Sequence, residues 1–236
     1  MASQSNRYPL ISVNPGSYDF NNHAETFSVQ MSLIHNVFIR CLNSIWYHAP
    51  LVKKEDEEAF VGYCLIWSKI IHGHHRAEET IVFPFIQAKF DMSTNVDQHK
   101  GFLGPFEEFE AYLKSVSAKT SAYDGEKVRA LVEAFGDTFV EHLHEEIPTI
   151  SPERMKQFET GPLDAMISVH DEYIKSHSLV TDMVLVTTHH DISQVPNWPP
   201  APAPIRWIIK NVTYWPYRQY WKFSPFSRTG EPQSLY

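Results

Sequence analysis

Two His-x-x-x-Glu pairs carry the chemistry that can be read from this chain: His74 with Glu78, and His142 with Glu146. A four-residue step places both side chains of a pair one turn apart on one face of a helix. Each pair interrupts an otherwise apolar stripe. Trp67, Ile71, His74, Glu78, Ile81 and Phe85 share one face, and Val128, Leu131, Phe135, His142 and Glu146 share another. A carboxylate among Phe and Ile is costly to bury unless a partner or a metal balances it. Imidazole and carboxylate without thiolate suit Fe, Mn or Zn.

Two further histidines lie on apolar stripes: His35 beside Met31, Ile34 and Phe38, and His99 beside Phe102, Leu103 and Phe106. The intervals repeat. His74 to His142 and Glu78 to Glu146 are both 68 residues, and His35 to His99 is 64. Two similar halves are a common way to build a dimetal carboxylate site in a bundle core. His75 with Glu79 has the same spacing as His74 with Glu78, but its face includes Ser68 and His72 and is more polar, so it ranks second. His72, His75 and His144 read as supporting or surface residues. His170, His177, His189 and His190 have no His-x-x-x-Glu partner and are not placed in the site.

These residues need long helices to position them. Helical patterns run over about 25–48, 55–89, 95–118 and 125–147, with acidic residues 55–58 opening the second. Short links between them predict an all-α, antiparallel up-down-up-down four-helix bundle. Residues 1–21 read as an irregular leader, 22–150 as the metal-binding bundle and 151–236 as a C-terminal extension. The extension contains helical pieces near 152–159 and 162–176, a stretch 179–186 that fits helix or strand, a polyproline connector 195–204 and an aromatic tail. That tail is expected to pack back on the bundle, since disordered tails rarely hold so many aromatics. Gly104-Pro105 predicts a kink in the third helix.

Composition argues against other classes. The formal net charge of -8 repels nucleic acid and anionic membranes, and no Lys/Arg run offsets it. Two isolated cysteines, Cys41 and Cys64, read as reduced buried thiols of a cytoplasmic protein. No signal peptide or membrane span is visible, and neither a P-loop nor GxGxxG nor GxSxG is present.

The segment from His74 to Pro84 resembles the His-x-x-x-Glu-Glu…Phe-Pro signature of the hemerythrin-like (HHE cation-binding) family. His142 to Pro148 is similar to its second copy, and His99 and His35 to its single-histidine segments. The ending Trp221-Lys-Phe-Ser-Pro resembles the extension of fungal members. The resemblance implies a non-haem di-iron centre held by His35, His74, Glu78, His99, His142 and Glu146. It also implies O2 as a partner, or nitric oxide, peroxide or iron itself. Asn95 stands where the oxygen carrier has another histidine, which leaves one metal short of a ligand and favours an open, reactive centre. His75, Glu79, Asn95 and His72 are secondary candidates. Three readings follow: an oxidoreductase acting on a small molecule, a reversible O2, nitric oxide or iron binder, and a metal-free helical interaction protein.

Overall fold

The computed structural model describes residues 7–176 and 178–234, so His177 lies outside the described residues, as do positions 1–6 of the leader. Among the described residues the chain is all-helical, with one isolated bridge between Phe226 and Pro232 and no strand.

Four long helices form the frame: α1 (His23–His48), α2 (Glu57–Ala77), α4 (Ser93–Ser117) and α5 (Gly125–Thr149). Helix α5 begins where the Asp124 side chain accepts a hydrogen bond from the Lys127 amide at 3.0 Å, which satisfies one otherwise unpaired donor. Helix α1 touches α2 and α5, and α4 touches the same two, so the four enclose one interior. No described helix is long and apolar enough to cross a membrane.

Three local expectations change. The pattern over 55–89 is not one α-helix: α2 widens into a π-helical turn at Glu78–Val82 before the short α3 (Phe83–Ile86). Proline explains this, because Pro84 cannot donate to the Thr80 carbonyl and its ring crowds it. The Phe83 amide bonds back to the Glu78 carbonyl instead. Pro105, by contrast, sits inside a continuous α4. Its missing partner is the carbonyl of Gly101, an exposed residue. Pro148 likewise lies inside the last turn of α5.

The extension holds α6 (Pro152–Met155), α7 (Thr160–Lys175), α8 (Asp182–His189) and α9 (Ala203–Ile208), the last continuing into a π-helical turn, Ile209–Thr213. The ambiguous stretch near 179–186 is therefore helical from Asp182. Residues 7–21 form no regular element but are tied to α1. Asn43 exchanges hydrogen bonds with the backbone of Tyr8, both at 2.9 Å, and Asn36 does the same with Ile11 at 2.8 and 2.9 Å. The two amides stand two helical turns apart and serve the leader as a strand partner would.

Aromatic rings fill the bundle centre. Trp67 is fully buried, stacks on Phe135 and meets Phe106, Phe109 and Phe139 edge-on. Trp221 and Phe223 of the tail are also fully buried, with Phe223 centred 5.0 Å from Phe60. A polar chain crosses this region. Cys41 donates to the Tyr63 hydroxyl at 3.1 Å, and that hydroxyl meets His189 Nε2 at 2.7 Å. His189 Nδ1 donates to the Leu185 carbonyl, so Nε2 is the acceptor. Both cysteines are free and buried, and burial raises both thiols above their ordinary range.

Candidate metal centre

The centre begins with helix geometry. Glu78 is four residues after His74 and three after His75, and both spacings make neighbours on a helix surface. The two rings therefore stand on either side of one carboxylate. The Glu78 amide is shared by the carbonyls of His74 and His75, at the point where α2 opens into the π turn. Such turns recur at functional sites.

All six residues expected as ligands converge. His74 Nε2 lies 2.7 Å from Glu78 Oε1 and 3.2 Å from His35 Nε2. His99 Nε2 lies 3.5 Å from Glu78 Oε2 and 3.1 Å from His142 Nε2. Glu146 Oε2 lies 3.4 Å from His35 Nε2 and 3.9 Å from His142 Nε2. Two groups have ligand atoms close enough to hold a metal: His35, His74 and Glu78 on one side, and His75, Glu78, His99 and His142 on the other. Glu78 belongs to both, and Glu146 reaches a histidine of each.

The inward lone pairs are set from behind. His35 Nδ1 donates to the Leu143 carbonyl at 2.8 Å, and His99 Nδ1 to Glu79 Oε1 at 2.8 Å. His142 Nδ1 faces Gln98 Oε1 at 3.3 Å. Tying Nδ1 in this way leaves Nε2 free to ligate and fixes each ring. The same arrangement points the Nε2 lone pairs of His99 and His142 at each other, which is unfavourable until a cation lies between them.

Burial makes the set electrostatically costly without metal. It pushes the Glu78 carboxyl well above the usual range, with Glu79 adding to the effect, and does the same to Glu146, with Glu78 adding. Burial also holds His35 and His75 well below the usual imidazole value and lowers His142 to about 2. For His99, burial lowers the value while Glu79 opposes it. Neither oxygen of Glu78 or Glu146, nor Nε2 of His75, has a hydrogen bond of good geometry. Five buried polar atoms without such bonds around one point fit a cation.

The secondary candidates separate. His75, ranked behind His74, enters the centre: its ring lies 4.2 Å from that of His99 and 5.6 Å from that of His142. Glu79 stands behind His99 and is half-exposed. Asn95 is buried, and its amide donates to the Thr149 hydroxyl at 3.3 Å. His72 lies 3.5 Å from Glu110 and stays outside. Gln98 was not legible as a contributor, since nothing in its neighbours marks it.

Comparison with known proteins agrees with this geometry. Residues 58–153 match the family model described as the hemerythrin HHE cation binding domain. The chain is similar to the dimeric xanthone biosynthesis cluster protein R11 of Cryptosporiopsis sp. (strain 8999). The two are 27% identical over 246 residues, covering 97% of this chain and 90% of the relative. No solved structure matches. His35 lies N-terminal to the matched segment and completes one of the two ligand groups from α1. Residues 58–153, with His74, Glu78, His99, His142 and Glu146 on their inner faces, are thus the part of this chain that matches the hemerythrin HHE cation binding domain.

Proposed function

We propose that this protein is a non-haem iron oxidoreductase acting on a small molecule, with two metals held by His35, His74, Glu78, His99, His142 and Glu146 and with His75 as a seventh ligand. The observation that carries this is Glu78, which is shared by two clusters of imidazole nitrogens, with Glu146 opposite it. A carboxylate common to two ligand groups suits a pair of cations a few ångströms apart. His75 supplies the imidazole that Asn95 does not. When bound, iron would supply redox chemistry with O2.

The chain's own residues do the rest. Leu143, Glu79 and Gln98 hold three rings in orientation. Phe38 and Phe102 lie against the histidines and keep water from them. Turnover, rather than storage, is supported by the relative, whose name places it in a biosynthesis cluster. In the same reading the four long helices alternate in direction, as their short links favour, and residues 151–236 form an extension of the bundle built over 22–150.

The test is to load tag-free protein anaerobically with ferrous iron, count the metal, and admit air. Two irons per chain and oxygen uptake that depends on an added aromatic co-substrate are expected. A stable coloured adduct that bleaches under vacuum would replace this reading with reversible binding. No stoichiometric transition metal after reconstitution would leave a metal-free bundle. In a His75→Ala variant the count should fall from two toward one, and an unchanged count would remove His75 from the ligand set.

A further inference from the structure

The segment from Ile192 to Gly230 contains five Lys/Arg and no Asp or Glu, in a chain whose formal net charge is -8. The cations are four to eight residues apart and make no linear run, so folding is needed to gather them. Within this segment α9 and the π-helical turn form one helical stretch, Ala203 to Thr213. Ile209 and Thr213, one turn apart, are buried, and Ile209 joins the main core. The π turn packs on α8. The helix is thus fixed by one side.

Its other side is exposed and apolar. Trp207 is 61% exposed, Val212 52% and Trp215 47%. Trp207, Asn211 and Trp215 follow at four-residue steps, and Asn211 donates to the Trp207 carbonyl at 2.9 Å. The Arg228 guanidinium lies 5.7 Å over the Trp215 ring and donates to Asn211 at 3.4 Å. Arg206, Lys210 and Arg218 are exposed around the same stripe. The fifth cation, Lys222, is taken by Asp56.

We propose that this face docks on an anionic lipid bilayer surface and holds the protein peripherally at a membrane. Indole rings prefer the headgroup level, where one edge is wet and the body apolar. A helix with exposed Trp and aliphatic side chains beside Lys and Arg lies in that interface. The cations add attraction to anionic headgroups. Single-stranded nucleic acid would match the charge and the indoles, but Val212 and the half-buried Ile205 and Ile208 offer no surface on which a base stacks. The bilayer uses all of these groups.

The experiment uses the full chain and sedimentation with vesicles. Vesicles of phosphatidylcholine with about 30% phosphatidylserine should carry the protein down, and pure phosphatidylcholine should do so at least about tenfold less well. About 1 M salt, where the Debye length is about 3 Å, should release it. Tryptophan emission should shift to the blue with the anionic vesicles. A Trp207→Ala/Trp215→Ala variant and an Arg206→Glu/Lys210→Glu variant should each lose about tenfold in binding, with helicity and metal content unchanged. Equal binding to both vesicle types, or binding that both variants retain, overturns the proposal. So does a dimer in analytical ultracentrifugation that the Trp variant abolishes while vesicles recover nothing, since a second copy is then the occupant. Binding of a single-stranded oligonucleotide in place of vesicles would equally overturn it.

Discussion

At the scale of single residues, the centre was largely legible because burying a carboxylate on an apolar stripe demands a reason. The six candidate ligands followed from that cost, from spacing and from the family resemblance. His75 was harder. Its helix face looked polar, and a face is defined by its own stripe rather than by what a neighbouring helix brings. Only the packed structure shows that α4 and α5 present His99 and His142 to it. The two acidic neighbours make a sharp contrast. Glu78→Ala should lose most bound metal, as counted by elemental analysis after dialysis. Glu79→Ala should retain the metal and lower its affinity by roughly 10–100-fold, the usual cost of removing the group behind a ligating histidine. The reverse outcome would place the ligand register one residue away.

At the scale of elements, the long helices were visible as periodic stripes, whereas the π turn was not. It depends on Pro84 opposing a carbonyl four residues back, within a stretch whose apolar pattern continues unbroken. The junction between α1 and α5 depends similarly on one small residue. A Cβ at Gly125 would run into the backbone carbonyl of Ala49, just past the end of α1. Gly125→Ala should therefore destabilise by about 1–3 kcal/mol in urea unfolding, although the same change at an open helical site would be mildly stabilising. The docking of the leader by Asn36 and Asn43 had no signal either, since an asparagine on a helix reads as surface until its partner is known.

Acid sensitivity belongs to the same scale, because it comes from how helices bury histidines outside the centre. Burial lowers His48 from 6.5 to about 4 and His189 to about 3. Both stay neutral in the folded chain while the unfolded chain takes up protons below about 6.5. Their contribution is intact above that value and is lost as pH falls from 6.5 toward 4 and 3. The loss for His48 approaches roughly 3 kcal/mol at the acid end. The raised carboxyls of Glu78 and Glu146 act in the opposite sense in metal-free protein, so the readout is a difference. A His48→Gln variant should show a flatter decline in unfolding free energy than the parent between about pH 6.5 and pH 4. Parallel curves would assign the acid limb to other groups.

At the scale of the whole molecule, two features should be measurable together. A cation that binds only the folded state adds stability by mass action, about 2.7 kcal/mol at a hundred times its Kd. Ferrous iron should therefore raise the melting temperature anaerobically, and the shift should vanish in Glu78→Ala. How the extension meets the bundle was only partly legible. Aromatic content announced that the tail would find a surface, but not that Trp221 and Phe223 would be fully buried, with Phe223 against Phe60 and Tyr63.

The chain of contacts from Cys41 through Tyr63 to His189 bears on how this protein comes apart. It joins α1, α2 and α8 through groups that have no water to fall back on. Residues on both sides of position 150 thus share one core, and neither side can melt while the other keeps its polar partners. Calorimetry should give a single heat-absorption peak, with the calorimetric and van't Hoff enthalpies equal. A protease nick in the proline-rich stretch 196–204 should leave two fragments that co-migrate until denaturant is added. A stop codon after position 150 should yield an insoluble product rather than a minimal iron-binding module.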